Sequence, residues 1–98
     1  MTSAIVIFSR LRARHGERDR LVAVLAPLIA AASAEPRTEQ FDLHLARDDV
    51  DEVWLYERFT DDAALAAHRE GPAVRDVVEQ LGDVLAEPPS ITYATPAS

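Results

Sequence analysis

The run EVWLYERF, residues 52–59, constrains this chain more than any other stretch. Its β-branched and aromatic content marks a strand, and strand side chains alternate between two faces. Val53, Leu55, Glu57 and Phe59 therefore point one way, while Trp54, Tyr56 and Arg58 point the other. Both faces carry large apolar bodies, so both need cover. Helices can cover only one of them. The face holding Val6, Phe8, Trp54 and Tyr56 then calls for a second layer, and the sheet of another copy supplies it with the least new structure. A homodimer joined sheet to sheet is expected.

The rest of the chain fits around that strand. AIVIFSRL (4–11) reads as a first strand, and after a His15-Gly16 turn Leu21, Val22, Leu25, Leu28, Ile29 and Ala32 recur at helical spacing from about Glu17 to Ala34, with Pro27 inside. QFDLHLA (40–46) alternates Phe41, Leu43 and Leu45 with Asp42 and His44, as a half-buried strand does. Thr60 and Asp61 are N-cap candidates for a short helix through about Arg69, which Gly71-Pro72 breaks. A second helical segment sets Val74, Val77, Val78, Leu81 and Leu85 on one side and reaches Ala86 before Pro88-Pro89. SITYAT (90–95) closes as a strand. The order βαββαβ is the split arrangement of a ferredoxin-like α+β fold, with helices on one face of the sheet. Ninety-eight residues suit a single domain, 1–98.

Composition removes several function classes. A net charge of -7 and no basic stripe argue against nucleic acid, whose affinity rests on cations neutralising phosphates. With no cysteine, thiolate metal sites, disulfides and cysteine nucleophiles are excluded. The longest apolar run, Leu21 to Ala32, is shorter than the ~20 residues of a membrane span, and no basic segment precedes an apolar one at the N-terminus. A cytoplasmic protein with no membrane partner is expected. His15, His44 and His68 show no ligand spacing, so no metal is expected, and the acidic RDDVDE run (47–52) reads as an exposed turn. No Gly-rich phosphate loop, HExxH or GxSxG is present.

Glu57 is the residue that needs explaining, because a carboxylate on a covered face is costly without a partner. Ala64 and Leu65 lie four and three residues before His68, so the helix that turns them inward turns the imidazole inward too. Glu57 and His68 are expected to meet, the carboxylate accepting a ring N–H and fixing the tautomer. Such a pair can be catalytic, or can simply tie helix to sheet.

The stretch LYERFTDDAALAAHREGPAVRDV (55–77) resembles the antibiotic biosynthesis monooxygenase family of small dimeric α/β-barrel proteins. The family pattern falls on Tyr56, Glu57, Phe59, Asp61, Ala64-Leu65, His68 and Gly71-Pro72, and the Gly16 turn, Ala34 to Pro36 and Pro88-Pro89 also sit where such proteins place them. The sequence departs from the pattern where Arg37, Thr38 and Phe41 replace a glycine, a small residue and a tyrosine. Arg37 and Glu39 also bring charge to the expected pocket entrance. Ser9, His68 and Val78 stand where the haem-degrading branch has Asn, Trp and His, which disfavours haem cleavage.

The resemblance implies cofactor-free oxidation of a quinol- or anthrone-type aromatic by dioxygen. On that implication His68 and Glu57 are the catalytic candidates, Ser9, Phe41, Phe59 and Leu55 line the substrate pocket, and Val6, Phe8, Trp54 and Tyr56 form the dimer face. A non-catalytic ligand-binding or stress-response module of the same fold, or a cofactor-free isomerase or cyclase, is the alternative.

Overall fold

A computed structural model describes residues 3–97 of the chain; Met1, Thr2 and Ser98, which the single-domain reading includes, lie outside the described residues. Strands β1 (Ile5–Arg12), β2 (Thr38–Leu45), β3 (Glu52–Phe59) and β4 (Ser90–Ala94) form one antiparallel sheet in the order β2-β3-β1-β4. Helix α1 (Arg18–Ser33) connects the first two strands, and α2 (Asp62–Arg69) and α3 (Pro72–Val84) connect the last two. This is the ferredoxin-like α+β arrangement, with its second helical connection broken in two at Gly71-Pro72.

Register places the two faces as the alternation requires. Ile7, Ser9 and Leu11 pair with Glu57, Leu55 and Val53, and Phe41 and Leu43 pair with Glu57 and Leu55, so all of these look toward the helices. Val6, Phe8 and Arg10 pair with Arg58, Tyr56 and Trp54 on the opposite face. The core lies between sheet and helices. Leu21, Leu25, Leu28 and Ala32 form the buried stripe of α1, and each fully buried leucine contributes about 1.5–3 kcal/mol against exposure. Phe59 and Val53 are fully buried beneath them.

The second helical connection departs from expectation at one residue. Val77 and Val84 are buried and Val74, Leu81 and Leu85 pack against the core, but Val78 is exposed. One helical step of about 100° carries Val78 off the stripe that Val77 heads. The cap of α2 also resolves to one residue: Asp61 Oδ1 accepts from the Ala64 N–H at 2.9 Å, while the buried Thr60 hydroxyl has no partner among the described residues.

The acidic run is a turn with Arg47, Asp48 and Val50 exposed, as expected, but one of its carboxylates is not solvated. Asp51 is buried, and its carboxylate accepts the Gly16 N–H at 2.9 Å and lies 3.0 Å from His15 Nδ1. Those contacts, the Gly16 N–H first, hold its carboxyl below the usual carboxylate range. Arg12 pairs with Asp49, and Arg18 donates to the carbonyls of Ala46 and Asp49. The run therefore clamps the β2–β3 turn against the β1–α1 turn. Gly16, with φ +81°, supplies the left-handed residue that aims its N–H at Asp51.

Candidate active site

Helix α2 presents Ala64, Leu65 and His68 to the interior at one-turn spacing, and the imidazole is buried between Phe41 and Phe59, with ring centroids 5.3 and 5.2 Å away. Glu57, on β3, is also buried and faces the same space. The two approach as the alternation and the helical spacing suggest, but they do not hydrogen-bond: Nε2 of His68 lies 3.9 Å from Glu57 Oε1. The hydrogen bond goes elsewhere. His68 Nδ1–H donates to Glu35 Oε1 at 2.9 Å, from just beyond the C-terminal end of α1. A carboxylate can only accept, so this contact places the ring proton on Nδ1 and, in the neutral ring, leaves the Nε2 lone pair toward Glu57 and the interior.

A cavity of about 170 Å³ opens there between sheet and helices. Ser9, Phe41, Glu57 and His68 line it together, with Leu65 and Arg69 among their neighbours. Of the expected pocket residues, Leu55 and Phe59 do not reach it. Both are buried in the core, Phe59 behind the imidazole ring. The cavity walls are otherwise largely apolar, and Glu57 has no hydrogen-bonding partner among the described side chains. Burial pushes its carboxyl up to about 7, with the Arg69 charge pulling it down and the Glu35 charge adding to the rise.

A second cavity, of about 370 Å³, lies on the other side of His68 and is lined by Glu35, Pro36, Arg37 and Gly71. The imidazole thus separates two spaces, with one nitrogen toward each. Arg37 does line this outer space and lies 3.6 Å from Asp61, whereas Glu39 pairs with Arg58 at 3.0 Å and does not line it. Among the described residues no cluster of three His, Asp or Glu side chains is arranged to hold a metal ion, and no helix is long and apolar enough to cross a membrane.

On the opposite face of the sheet, Phe8 and Trp54 are exposed and Phe8 stacks at 5.4 Å on the half-buried Tyr56. Val6, expected among them, is already buried within the single chain, where it pairs with Ala94 and residues 95–97 flank it after β4.

Two residues of this region escape sequence reasoning. Glu35 carries no signal of its own: it sits 33 positions before His68, and only the docking of α1 brings it there. Arg69 had a signal in its place beside His68 in the last turn of a short helix, where it reaches the cavity edge.

Comparison with known proteins agrees with this architecture. A family model described as antibiotic biosynthesis monooxygenase matches residues 4–80. A Mycobacterium tuberculosis protein named "Putative monooxygenase Rv0793" is 31% identical over 96 residues, covering 98% of this chain and 94% of that protein. Its solved structure superposes with a TM-score of 0.91 at 29% identity, over 98% of this chain and 97% of that one. PA3566 from Pseudomonas aeruginosa gives a TM-score of 0.91 at 24% identity, over 100% and 98% of the two chains, and shows the same fold.

Proposed function

Because the chain belongs to the antibiotic biosynthesis monooxygenase family, we propose that it oxidises an electron-rich phenolic aromatic of the quinol or anthrone type with dioxygen, without metal or flavin. The observation that carries this reading is the His68 ring: Nδ1 committed to Glu35 at 2.9 Å, and Nε2 open to a mostly apolar cavity. His68 takes the substrate's proton through Nε2. Glu35 holds the tautomer and stabilises the imidazolium that forms. Burial holds Glu57 partly protonated near neutrality, which reduces its negative charge beside the developing phenolate. Ser9 and Phe41 complete the wall, and Leu55 and Phe59 support it from behind.

The electron balance then needs no cofactor. The deprotonated substrate gives one electron to dioxygen, and the two radicals join in a C–O bond. The resulting peroxide loses the hydrogen on its carbon as the O–O bond breaks, so one oxygen atom stays on the product as a new carbonyl and the other departs as water. Excluding bulk water from the cavity protects the radical pair and strengthens each local charge interaction.

The chain acts as one domain and works as a pair of copies joined across the face that carries Phe8, Trp54 and Tyr56. That arrangement leaves the helix-side cavity of each copy free.

Oxygen uptake by metal-free, flavin-free protein against a panel of hydroquinones and anthrones tests the reading. A positioned general base contributes ~10²–10⁴-fold, so His68→Ala is expected to lose turnover on that scale. Full activity in the variant would remove His68 from the chemistry. The Glu35–His68 hydrogen bond also ties the end of α1 to α2, a structural role that favours a ligand-binding module as the second reading. Ligand binding with no uptake across the panel would select it.

A further inference from the structure

All ten cationic residues of the chain are arginines, and most are accounted for by partners. Arg10, Arg12, Arg20, Arg37 and Arg58 face carboxylates, and Arg14 and Arg18 donate to backbone carbonyls. Arg69 is different. It makes no ion pair and donates no hydrogen bond among the described residues, in a chain with 17 acidic side chains to choose from. Its guanidinium carbon instead lies 4.9 Å from the centre of the Tyr93 ring, where a cation–π contact holds the planar group in place.

That place is a junction. Arg69, Tyr93 and Leu65 line the inner cavity that holds His68 and Glu57, and the same three line a wider cleft of about 510 Å³ between α2 and the end of β4. Arg69 is the one cation lining either space among the described residues. Ile91 and Tyr93 are exposed on the helix side of β4, extending the apolar wall from the cavity toward the cleft. A ligand with its phenolic end at His68 that extends from the inner cavity toward the cleft passes Arg69, which lines both.

We propose that Arg69 selects the substrate: the cavity takes a fused-ring phenolic aromatic that bears a carboxylate, with the carboxylate on the Arg69 guanidinium and the phenol at His68. The inference rests on the reading of the inner cavity as a substrate site. A guanidinium meets a carboxylate with two parallel N–H donors, which fixes orientation as well as affinity. Three acidic groups face the ligand's path: Glu57 in the cavity, Glu35 behind His68, and Asp62 in the cleft. Glu35 is engaged by the imidazole, burial keeps much of Glu57 protonated near neutral pH, and Asp62 is exposed, where solvent screens its charge, so the attraction survives all three.

Anaerobic titration of the whole chain with 1,4-dihydroxy-2-naphthoate and with 1,4-dihydroxynaphthalene, followed by calorimetry, isolates the carboxylate. The wild type is expected to bind the carboxylated compound at least tenfold more tightly. Arg69→Gln is expected to lose that preference while binding the neutral diol within about twofold of wild type, and Arg69→Lys to keep part of it. Equal affinities in the wild type, no binding of either compound, or an equal loss of both in Arg69→Gln would overturn the proposal. The last result would make Arg69 a packing clamp on Tyr93. Admitting air then reads the oxygenase proposal separately. A carboxylate preference without oxygen uptake upholds the Arg69 site and sinks the chemistry, and uptake of both compounds without a binding preference does the reverse.

Discussion

Among the described residues Glu57 is the carboxyl that burial pushes above its ordinary range. It is buried without a hydrogen-bonding partner among the described side chains, and its carboxyl stands at about 7 against an ordinary 4.5. The groups that face it are His68 and Arg69 from α2 and Glu35 from the end of α1. A carboxyl raised in the folded state binds its proton more tightly folded than unfolded. Glu57 therefore costs nothing below about pH 4.5, and the folded state loses stability as pH rises from there through about 7. At roughly 1.4 kcal/mol per pKa unit, the loss is about 3 kcal/mol above neutrality. Glu57→Gln should match wild type in urea unfolding at pH 4 and exceed it by up to that amount at pH 8. A constant difference across this range would show that ionisation of Glu57 is not the source. At this scale the sequence was partly legible. Strand alternation aimed Glu57 at the helices and one-turn spacing aimed His68 inward, and both point there. The partner of His68 was not legible, because Glu35 is placed by the tertiary docking of α1 and by no local period.

The turns show the same division at the level of elements. The third strand, Glu52–Phe59, has the boundaries that its composition dictates, and the short helix starts where the Asp61 cap puts it. Periodicity reports such features because it is a property of contiguous residues. The acidic run after β2 looked solvated for the same reason: its partners Arg12, His15 and Arg18 lie more than thirty residues away in sequence for most contacts. The clamp gives the β1–α1 turn a fixed shape, and Gly16 is its weak point. Nothing lies within 4 Å of a Cβ built there, so space is not what a side chain would lack; the φ of +81° is. Gly16→Ala is expected to cost about 1–2 kcal/mol, the left-handed penalty of a residue with a Cβ, and Asp51→Ala to remove the reason for holding that conformation. The double variant in urea unfolding should then cost less than the sum of the two singles. Strict additivity would mean that Gly16 and Asp51 act independently.

The whole molecule is flat and open for its mass. Its accessible surface is 6094 Å², against about 5,500 Å² for a monomeric protein of 10.8 kDa, and its extents are 44 × 29 × 19 Å. One helix layer on one sheet explains the thin dimension and leaves the other sheet face without cover. That face carries Phe8 at 43% and Trp54 at 42% exposure beside Tyr56. The bare face was legible from EVWLYERF alone, since the strand has bulky residues on both sides and the chain has helices for one. The burial of Val6 was not, because it depends on where residues 95–97 run after the last strand. Two copies pressed together here would bury aromatic surface and leave the His68 cavities outside the contact. Light scattering behind size exclusion should give the wild type twice its 10.8 kDa. Phe8→Asp with Trp54→Asp should return it to one copy, because each aspartate would need desolvation at the centre of the contact. A wild type at the single-chain mass would sink the sheet-to-sheet pair. A dimer that survives both aspartates would move the contact to another surface and leave Phe8 and Trp54 unexplained.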